Sequence, residues 1–210
     1  MRLARQAAWL LLAAAANQLP RACCTMGFGK PPLGFNNCNV RTALGLTNWS
    51  CCTGNQRLFE ATAAALKSTG LQRLGYKYIN TDDGWMNHDR SHGVGNGTQV
   101  PQSEPWRFPD WQGMIDKLHA DGFLFGLYTA MGNQSCCKRA TSCGNEVIDA
   151  NQYAKWGVDY VKDDSCSACP GSAASNLKKM QDALDATGRN VLLSGEGGPD
   201  PQECSTTGHW

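Results

Sequence analysis

The feature of this sequence that most restricts its fold is the repeated alternation of short, apolar, strand-like runs with helix-like segments. Such alternation is typical of a parallel sheet whose successive strands are joined by helices. An eight-fold barrel of βα units has this rhythm, but it usually needs about 250 residues, and this chain has 210. We therefore predict an α/β fold that corresponds to about the first five βα units of a (β/α)8 TIM barrel.

The predicted elements follow from apolar periodicity and from the glycines that end helices. Helices are expected over 55–69, from 111 to about 122, over 149–156, and from 177 to about 188. Strands are expected over 30–36, 76–81, 123–128, 158–164 and 191–194. The stretch 86–108 is polar, rich in glycine and interrupted by two prolines, so we predict a long loop there. No linker divides residues 21–210, which are predicted to form a single domain.

Acidic residues recur directly after the predicted strands. Asp82 and Asp83 follow the second strand, and Glu196 follows the fifth. The carboxyl ends of parallel strands meet at one edge, where α/β folds place their chemistry, so we expect these side chains to lie near one another. Acids placed at random on a surface would not easily produce this recurrence.

The fourth strand ends in a dense group of charged side chains, within W-G-V-D-Y-V-K-D-D-S-C-S-A-C over 156–169. Side chains alternate between the two faces of a strand, so Lys162 and Asp164 point the same way and Asp163 points the other way. For Asp163, a solvated loop acid is at least as good an interpretation as a functional one. For Asp164 we favour a functional role, because other strand ends repeat the pattern.

Charge and composition restrict the classes of function. The formal net charge is +1 and no run of like charges occurs, so the chain has no long-range field for nucleic acid or an anionic membrane. A small neutral ligand fits better. His88 and His92 lack helical periodicity around them, and no set of residues has convincing zinc spacing, so we predict no metal and no cofactor. The glycines of 93–97 do not form a G-x-G-x-x-G phosphate loop.

The first 20 residues have the pattern of a secretory signal peptide, with two arginines, a short apolar run and a polar exit. No other stretch approaches the roughly 20 apolar residues of a membrane span. Eleven cysteines and three N-glycosylation sequons also favour an oxidising, secretory compartment. Cys166 and Cys169 form a C-x-x-C, for which structural disulfides are favoured over redox chemistry or half a zinc site. Because the cysteine count is odd, at least one thiol is free, pairs between chains, or has its partner outside this sequence.

Seven short motifs follow one another between residues 31 and 210. They are P-P-L-G-F-N, Y-I-N-T-D-D-G-W-M, R-F-P, G-L-Y-T-A-M-G-N, I-D-A, W-G-V-D-Y-V-K-D-D-S-C and G-H-W. No single motif is decisive, but in this order they resemble the catalytic domain of the α-galactosidase and α-N-acetylgalactosaminidase (melibiase) family of retaining glycosidases. The resemblance implies a (β/α) barrel, usually followed by a β-sandwich domain. It also implies an enzyme that removes terminal α-linked galactose from oligosaccharides, glycolipids or glycoproteins.

The resemblance implies roles for the acids at the strand ends. In the K-x-D-x-C motif, Asp164 is similar to the family's catalytic nucleophile and Lys162 to a ligand of sugar hydroxyls. Asp82 and Asp83 match the acids that hold the galactose hydroxyls near positions 4 and 6. Glu196 falls where galactose-specific members carry an acid near the 2-position of the sugar, whereas members specific for N-acetylgalactosamine carry a small residue there.

Further positions are implied in the same way. Trp85 and Tyr128 match pocket-wall positions, and Cys136 and Cys166 match a family disulfide that ties the loop after the third strand to the nucleophile loop. These assignments come from the resemblance alone.

The chain departs from the family pattern at three of the positions considered. The family usually has a tryptophan where Cys38 stands, an acid where Ala130 stands, and an aromatic residue where Asp163 stands. These departures bear on how the substrate fits.

A retaining glycosidase needs two carboxyl groups about 5–5.5 Å apart, one to attack the anomeric carbon and one to protonate the leaving oxygen. We expect Asp164 to be ionised, with the neighbouring Lys162 helping to keep it so. The resemblance puts the acid partner on a loop after a sixth strand, beyond Trp210. We therefore expect that this chain alone does not hydrolyse galactosides, that its transcript continues past Trp210, and that the isolated fragment aggregates through unpaired strand edges.

Two other interpretations stay open. One is an inactive sugar-binding barrel fragment that keeps the pocket acids, and the other is a relative that acts on α-N-acetylgalactosamine or β-L-arabinopyranose. The expected partner is a galactose-terminated carbohydrate, with no nucleic acid and no membrane span, and a homodimer is left open. The expected compartment is extracellular or vacuolar/lysosomal.

Overall fold

A computed structural model describes residues 31–38, 54–87, 90, 103 and 105–196. The strands are β1 (Leu33–Asn36), β2 (Tyr76–Asn80), β3 (Leu124–Ala130), β4 (Tyr160–Asp164) and β5 (Leu192–Gly195). The helices are α1 (Gln56–Ser68), α2 (Trp111–Ala120), α3 (Glu146–Trp156), α4 (Ala173–Ala186) and a short 3-10 helix (Leu71–Leu74). None of these helices combines the length and the apolar character that crossing a bilayer requires.

The five strands form one parallel sheet in the order β1-β2-β3-β4-β5, so each strand pairs with its neighbours in the chain. One of the helices α1 to α4 lies in each connection between successive strands. This arrangement is a half-barrel, and the predicted α/β class is confirmed. The predicted signal peptide, most of the predicted loop over 86–108, and the sequons at Asn48 and Asn96 lie outside the described residues.

Glycines end three helices where the sequence predicts. Gly70 follows α1 with φ 80°, Gly122 follows α2 with φ 83°, and Gly188 follows α4 with φ 73°. Glycine reaches this left-handed region without the clash that a Cβ would cause. Helix α3 begins at Glu146, earlier than the predicted 149. The prediction missed the first turn because its exposed residues do not continue the buried apolar periodicity.

Alternating side chains divide the sheet into two faces. On β4, Val161 and Asp163 are buried in the layer between sheet and helices, whereas Tyr160, Lys162 and Asp164 point to the inner face and are partly exposed. This is the predicted alternation. The apolar core lies on the helix side, so the inner face is left for polar chemistry at the strand ends.

Tyrosines on the inner face need a glycine between them. The rings of Tyr78 on β2 and Tyr160 on β4 meet edge to face, with their centroids 6.0 Å apart. Gly126 on β3 lies between these strands, and a Cβ there would come within 2.9 Å of the Tyr160 ring and 2.2 Å of Asn80 Oδ1. The missing side chain therefore makes room for the two rings.

Trp111, the first residue of α2, lies at the centre of an aromatic cluster in the core. The ring of Trp85 stacks on it, with centroids 4.8 Å apart and planes 15° apart. Phe125 and Trp156 contact it edge-on at centroid distances of 5.4 Å and 5.6 Å. The cluster joins α2, β3, α3 and the turn after β2. It therefore holds this turn, which follows Asp82 and Asp83, against the helix layer.

We predict that Trp111→Ala lowers the free energy of unfolding by about 3–5 kcal/mol, because it opens a cavity among several rings. Trp106→Ala makes the same chemical change at a side chain that is 79% exposed, and it should change stability by less than about 0.5 kcal/mol. Urea unfolding of the purified variants measures both values. Equal losses in the two variants would contradict the central position of Trp111.

Candidate active site

The carboxylate of Asp82 lies where several strand ends meet. Its Oδ2 accepts hydrogen bonds from Asn36 Nδ2 at 2.9 Å and from Lys162 Nζ at 3.0 Å. Its Oδ1 accepts from Asp83 N at 2.8 Å, and its own backbone N–H donates to Asn37 Oδ1 at 2.6 Å. The residue is buried. Asp82 is therefore held by groups from β1, β4 and its own turn.

The ammonium of Lys162 links two carboxylates. Its Nζ lies 3.0 Å from Asp82 Oδ2 and 2.5 Å from Glu196 Oε2. Burial alone would lower the pKa of Lys162, but Asp82 and Glu196 raise that pKa above its ordinary value. Burial alone would raise the pKa of Asp82, but Lys162 and the hydrogen bonds hold that pKa below its ordinary value. Both groups are therefore charged, and the exposed Glu196 contributes the more screened of the two pairs.

Asp83 occupies a different environment from its neighbour. Its Oδ2 accepts a hydrogen bond from Cys137 N at 2.8 Å, in the loop after β3. Burial raises the pKa of Asp83 above its ordinary value, and the hydrogen bond from Cys137 opposes that shift. The two adjacent acids thus have pKa values shifted in opposite directions.

Asp164 ends β4 and is held through both carboxylate oxygens. Its Oδ2 accepts from the hydroxyl of Tyr128 at 3.0 Å, and its Oδ1 accepts from Ser165 N at 2.6 Å. Burial and the nearby carboxylates raise the pKa of Tyr128 above its ordinary value, so this hydroxyl keeps its proton and donates it. The carboxylate of Asp164 is thereby oriented on the inner face.

The expectation that Lys162 supports Asp164 stays a prediction, and the ion pairs of Lys162 are with other acids. Lys162 and Asp164 do share a strand face, as predicted. The ammonium of Lys162 forms ion pairs with Asp82 and Glu196, and Tyr128 is the side chain that donates a hydrogen bond to Asp164. The reason is that two acids from other strand ends compete for the same cation.

Two disulfides connect the loop after β3 to the loop after β4. They are Cys136–Cys166, the pair that the resemblance implies, and Cys143–Cys169. The cysteines of the C-x-x-C motif therefore pair with separate partners. In the described ranges, Cys136, Asp164 and Cys166 offer ligand atoms within 4.8 Å of one another. Because both sulfurs are bridged, neither is a thiolate, and the group does not form a metal site.

Comparison with known proteins identifies the family to which these motifs belong. A family model described as alpha galactosidase A matches residues 33–201, a stretch that includes every strand and every acid described above. The chain belongs to this family.

Relatives within the alpha galactosidase A family cover most of this chain. The alpha-galactosidase mel1 of Schizosaccharomyces pombe is 36% identical over 168 residues, and an alpha-galactosidase of Cyamopsis tetragonoloba is 38% identical over 171 residues. These matches cover 76% and 80% of this chain, and each covers 38% of the relative's own length. The chain therefore spans well under half of these curated relatives.

Solved structures agree with the fold. An α-galactosidase from Saccharomyces cerevisiae, described with raffinose, superposes with a TM-score of 0.69 at 31% identity. The superposition covers 80% of this chain and 36% of that chain. The half-barrel therefore corresponds to part of an α-galactosidase barrel.

The structure does not support a pocket-wall position for Trp85. After Asp83 the chain turns at Gly84, which has φ 91°, and the Trp85 indole enters the core, where its Nε1 donates to Tyr128 O at 2.8 Å. A ring that is only 1% exposed has no surface to offer a sugar. Tyr128 is equally buried, and it reaches the site through its hydroxyl.

Asp163 is buried, which corrects its interpretation as a solvated loop acid. The residue is 2% exposed on the helix side of β4, and its Oδ1 has no hydrogen-bond partner among the described residues. Burial raises the pKa of Asp163 well above its ordinary value, and the carboxylates of Glu146 and Asp164 add to the shift. A neutral, protonated Asp163 is the state that this environment favours.

Several positioning residues were missed at the sequence level. Asn36 and Asn37 contact Asp82 from the end of β1. Arg107 is buried, and its guanidinium donates to Gly54 O at 2.8 Å and to Gly84 O. Asn36 and Arg107 both belong to motifs that carry the family resemblance, P-P-L-G-F-N and R-F-P. Their place in these motifs is the sequence feature that could have identified them.

We predict that stability falls with rising pH through the titration of Asp163. The folded state keeps this proton to a higher pH than the unfolded chain, whose carboxyl ionises near pH 4. From about pH 4 up to the raised pKa, the folded state binds more protons, so the free energy of unfolding falls as pH rises. Asp163→Asn should remove this slope, which is about 1.4 kcal/mol per pH unit when the two states differ by one bound proton.

Urea unfolding at a series of pH values tests the Asp163 prediction. Asp116→Asn provides the matched control, because it removes an exposed acid on α2. The control should keep the pH slope of the parent protein. An unchanged slope in Asp163→Asn would show that this carboxyl is already ionised in the folded protein.

We also predict the disulfide connectivity of the oxidised protein. Peptide mapping without reduction should recover the Cys136 peptide joined to Cys166 and the Cys143 peptide joined to Cys169, because the structure brings these pairs within bonding distance. Digestion that cleaves both between Cys136 and Cys143 and between Cys166 and Cys169 should separate the two bridges. A Cys166–Cys169 bridge in the mapped material would contradict the structure.

Proposed function

We propose that this protein is a retaining glycosidase that releases terminal α-linked galactose, with Asp164 as its nucleophile. The observation that carries the proposal is a pair of separately held carboxylates at the carboxyl ends of β2 and β4, two strands of the same sheet. Asp82 accepts a hydrogen bond from the ammonium of Lys162, and Asp164 accepts one from the hydroxyl of Tyr128. Membership of the alpha galactosidase A family, and the α-galactosidase descriptions of the relatives, support the same reaction.

The charged trio of Asp82, Lys162 and Glu196 is proposed to hold the hydroxyls of galactose. The two carboxylates accept hydrogen bonds and the ammonium donates them, and charge-assisted hydrogen bonds of this kind are the strong ones. A neutral polyol can replace solvent on these groups without adding an unpaired charge. Asp83, whose pKa is raised, is proposed to hold a neighbouring hydroxyl.

Glu196 is the basis for proposing galactose over N-acetylgalactosamine. Its carboxylate lies 2.5 Å from Lys162 Nζ and is partly open to solvent. We propose that it accepts a hydrogen bond from the 2-hydroxyl, where an acetamido group would meet a carboxylate instead of a small residue. The specificity then comes from a carboxylate that hydrogen-bonds the 2-hydroxyl of galactose and clashes with the larger acetamido group.

The chemical step is proposed to follow double displacement. The ionised Asp164 attacks the anomeric carbon as the bond from that carbon to the leaving oxygen breaks, and a carboxylic acid delivers a proton to that oxygen. Water then attacks the glycosyl ester, gives its proton to the same acid group, and releases Asp164. Tyr128 and Ser165 contribute by fixing the orientation of the carboxylate in the attack.

The proton donor is proposed to lie outside the described ranges. Asp82 and Glu196 are paired with Lys162, and Asp83 is buried in a separate hydrogen bond. These three acids are therefore assigned to binding. The resemblance assigns the donor to a segment that follows the part of the family matched by this chain.

The compartment is proposed to be oxidising, either extracellular or vacuolar/lysosomal. Two disulfides in the loops beside the site support this, because such bridges persist in secretory compartments. The signal-like pattern over 1–20 supports it as well.

We predict that Asp164→Asn abolishes turnover of para-nitrophenyl α-galactoside by the protein expressed from its complete gene. Loss of a covalent nucleophile should lower kcat by at least about a thousandfold. Asp163→Asn is the matched control, since it changes the adjacent aspartate on the opposite strand face and should keep turnover. Steady-state kinetics and circular dichroism of both variants make the comparison.

A mechanism-based fluorinated galactosyl label identifies the nucleophile directly. Peptide sequencing should recover the label on Asp164. Recovery on Asp163 would overturn the assignment, and a parent protein that binds galactose without turnover would establish the inactive sugar-binding alternative. Turnover of an N-acetylgalactosaminide or a β-L-arabinopyranoside in preference to the galactoside would move the protein to the corresponding specificity.

A further inference from the structure

Trp106 is the large hydrophobic side chain that the described residues expose most, at 79% of its surface. It lies in the connection from β2 to α2, which begins at the carboxyl edge of the sheet. Three other tryptophans of this region, at positions 85, 111 and 156, pack together in the nearby core. Trp106 is therefore exposed to solvent, whereas the other three tryptophans pack in or against the core.

A buried arginine fixes the position of this indole. The guanidinium carbon of Arg107 lies 5.6 Å from the centroid of the Trp106 ring. Arg107 donates to Gly54 O at 2.8 Å and to Gly84 O, and Gly84 directly follows Asp83. The exposed ring is thus connected through one side chain to the turn that carries the candidate sugar-binding acids.

An exposed and positioned indole has the properties of a sugar platform. The C–H faces of a pyranose pack against aromatic rings, and a tryptophan offers the largest such area with few rotatable bonds. The cation–π contact with Arg107 limits the motion of the ring before any ligand arrives, which lowers the entropy lost on binding. The chain has a formal net charge of +1 and no run of like charges, so the surface favours a neutral occupant.

We propose that Trp106 forms a second binding position for an oligosaccharide, where a sugar ring on the leaving-group side of the scissile bond stacks on the indole. The inference rests on the proposed function, because it needs the galactosyl end of the same chain to occupy the site of Asp82 and Asp164. The substrate class is then a neutral oligosaccharide of several sugars that carries a terminal α-galactosyl unit. An aryl galactoside has only one ring on the leaving-group side, so it lacks the further sugar rings that are proposed to extend to the indole.

The test compares a short and a long substrate in the protein expressed from its complete gene. The probes are para-nitrophenyl α-galactoside and a β-1,4-mannopentaose with one α-galactosyl branch. Trp106→Ala should lower kcat/KM for the branched oligosaccharide by about two- to tenfold, mainly through KM, and leave the aryl galactoside unchanged. Trp106→Phe should recover part of the loss because it restores an aromatic face.

Leu74→Ala is the matched control, since Leu74 is 72% exposed and lies before β2, at the opposite edge of the sheet. It should leave both substrates unchanged. Equal kinetic constants for parent and Trp106→Ala on the oligosaccharide, or equal losses on both substrates, would overturn the platform. A change in sedimentation on Trp106→Ala would assign the indole to a subunit contact instead. Absence of aryl galactoside turnover in the parent protein would mark failure of the proposed function, a result distinct from these.

Discussion

The ion pair between Lys162 and Asp82 is the interaction on which the strand ends depend. Carboxylates that leave water lose several kcal/mol of solvation each unless a cation and hydrogen bonds replace it. The inner face of the half-barrel has no apolar core at this edge, so packing cannot hold the acids together. For Asp82, the ammonium from β4 and the amide of Asn36 from β1 supply the replacement.

This arrangement also separates the roles of the acids. Asp82 stays ionised because Lys162 compensates it, whereas Asp83 is pushed towards its neutral form by burial. Asp164 instead accepts its hydrogen bonds from Tyr128 and Ser165, at the end of another strand.

The order of elements, the parallel sheet and the gathering of acids at one edge were predictable, because apolar periodicity and the geometry of parallel strands are local rules. The face shared by Lys162 and Asp164 followed from strand alternation alone. The partners of these groups were not predictable, since the contacts of Asp82 with Asn36 and Lys162 span 46 and 80 residues of sequence. The burial of Trp85 and Asp163 depends on helices that pack from elsewhere in the chain.

The two disulfides between the loops after β3 and β4 have overlapping effects on the unfolded chain. Once Cys136–Cys166 is closed, the Cys143–Cys169 bridge closes only a small ring made of the stretches 136–143 and 166–169. A small ring removes less chain entropy than the long loop that either bridge would close alone. Reduction of either bridge therefore leaves the other in place, and the loop after β4 stays tethered to the loop after β3 after a single reduction event.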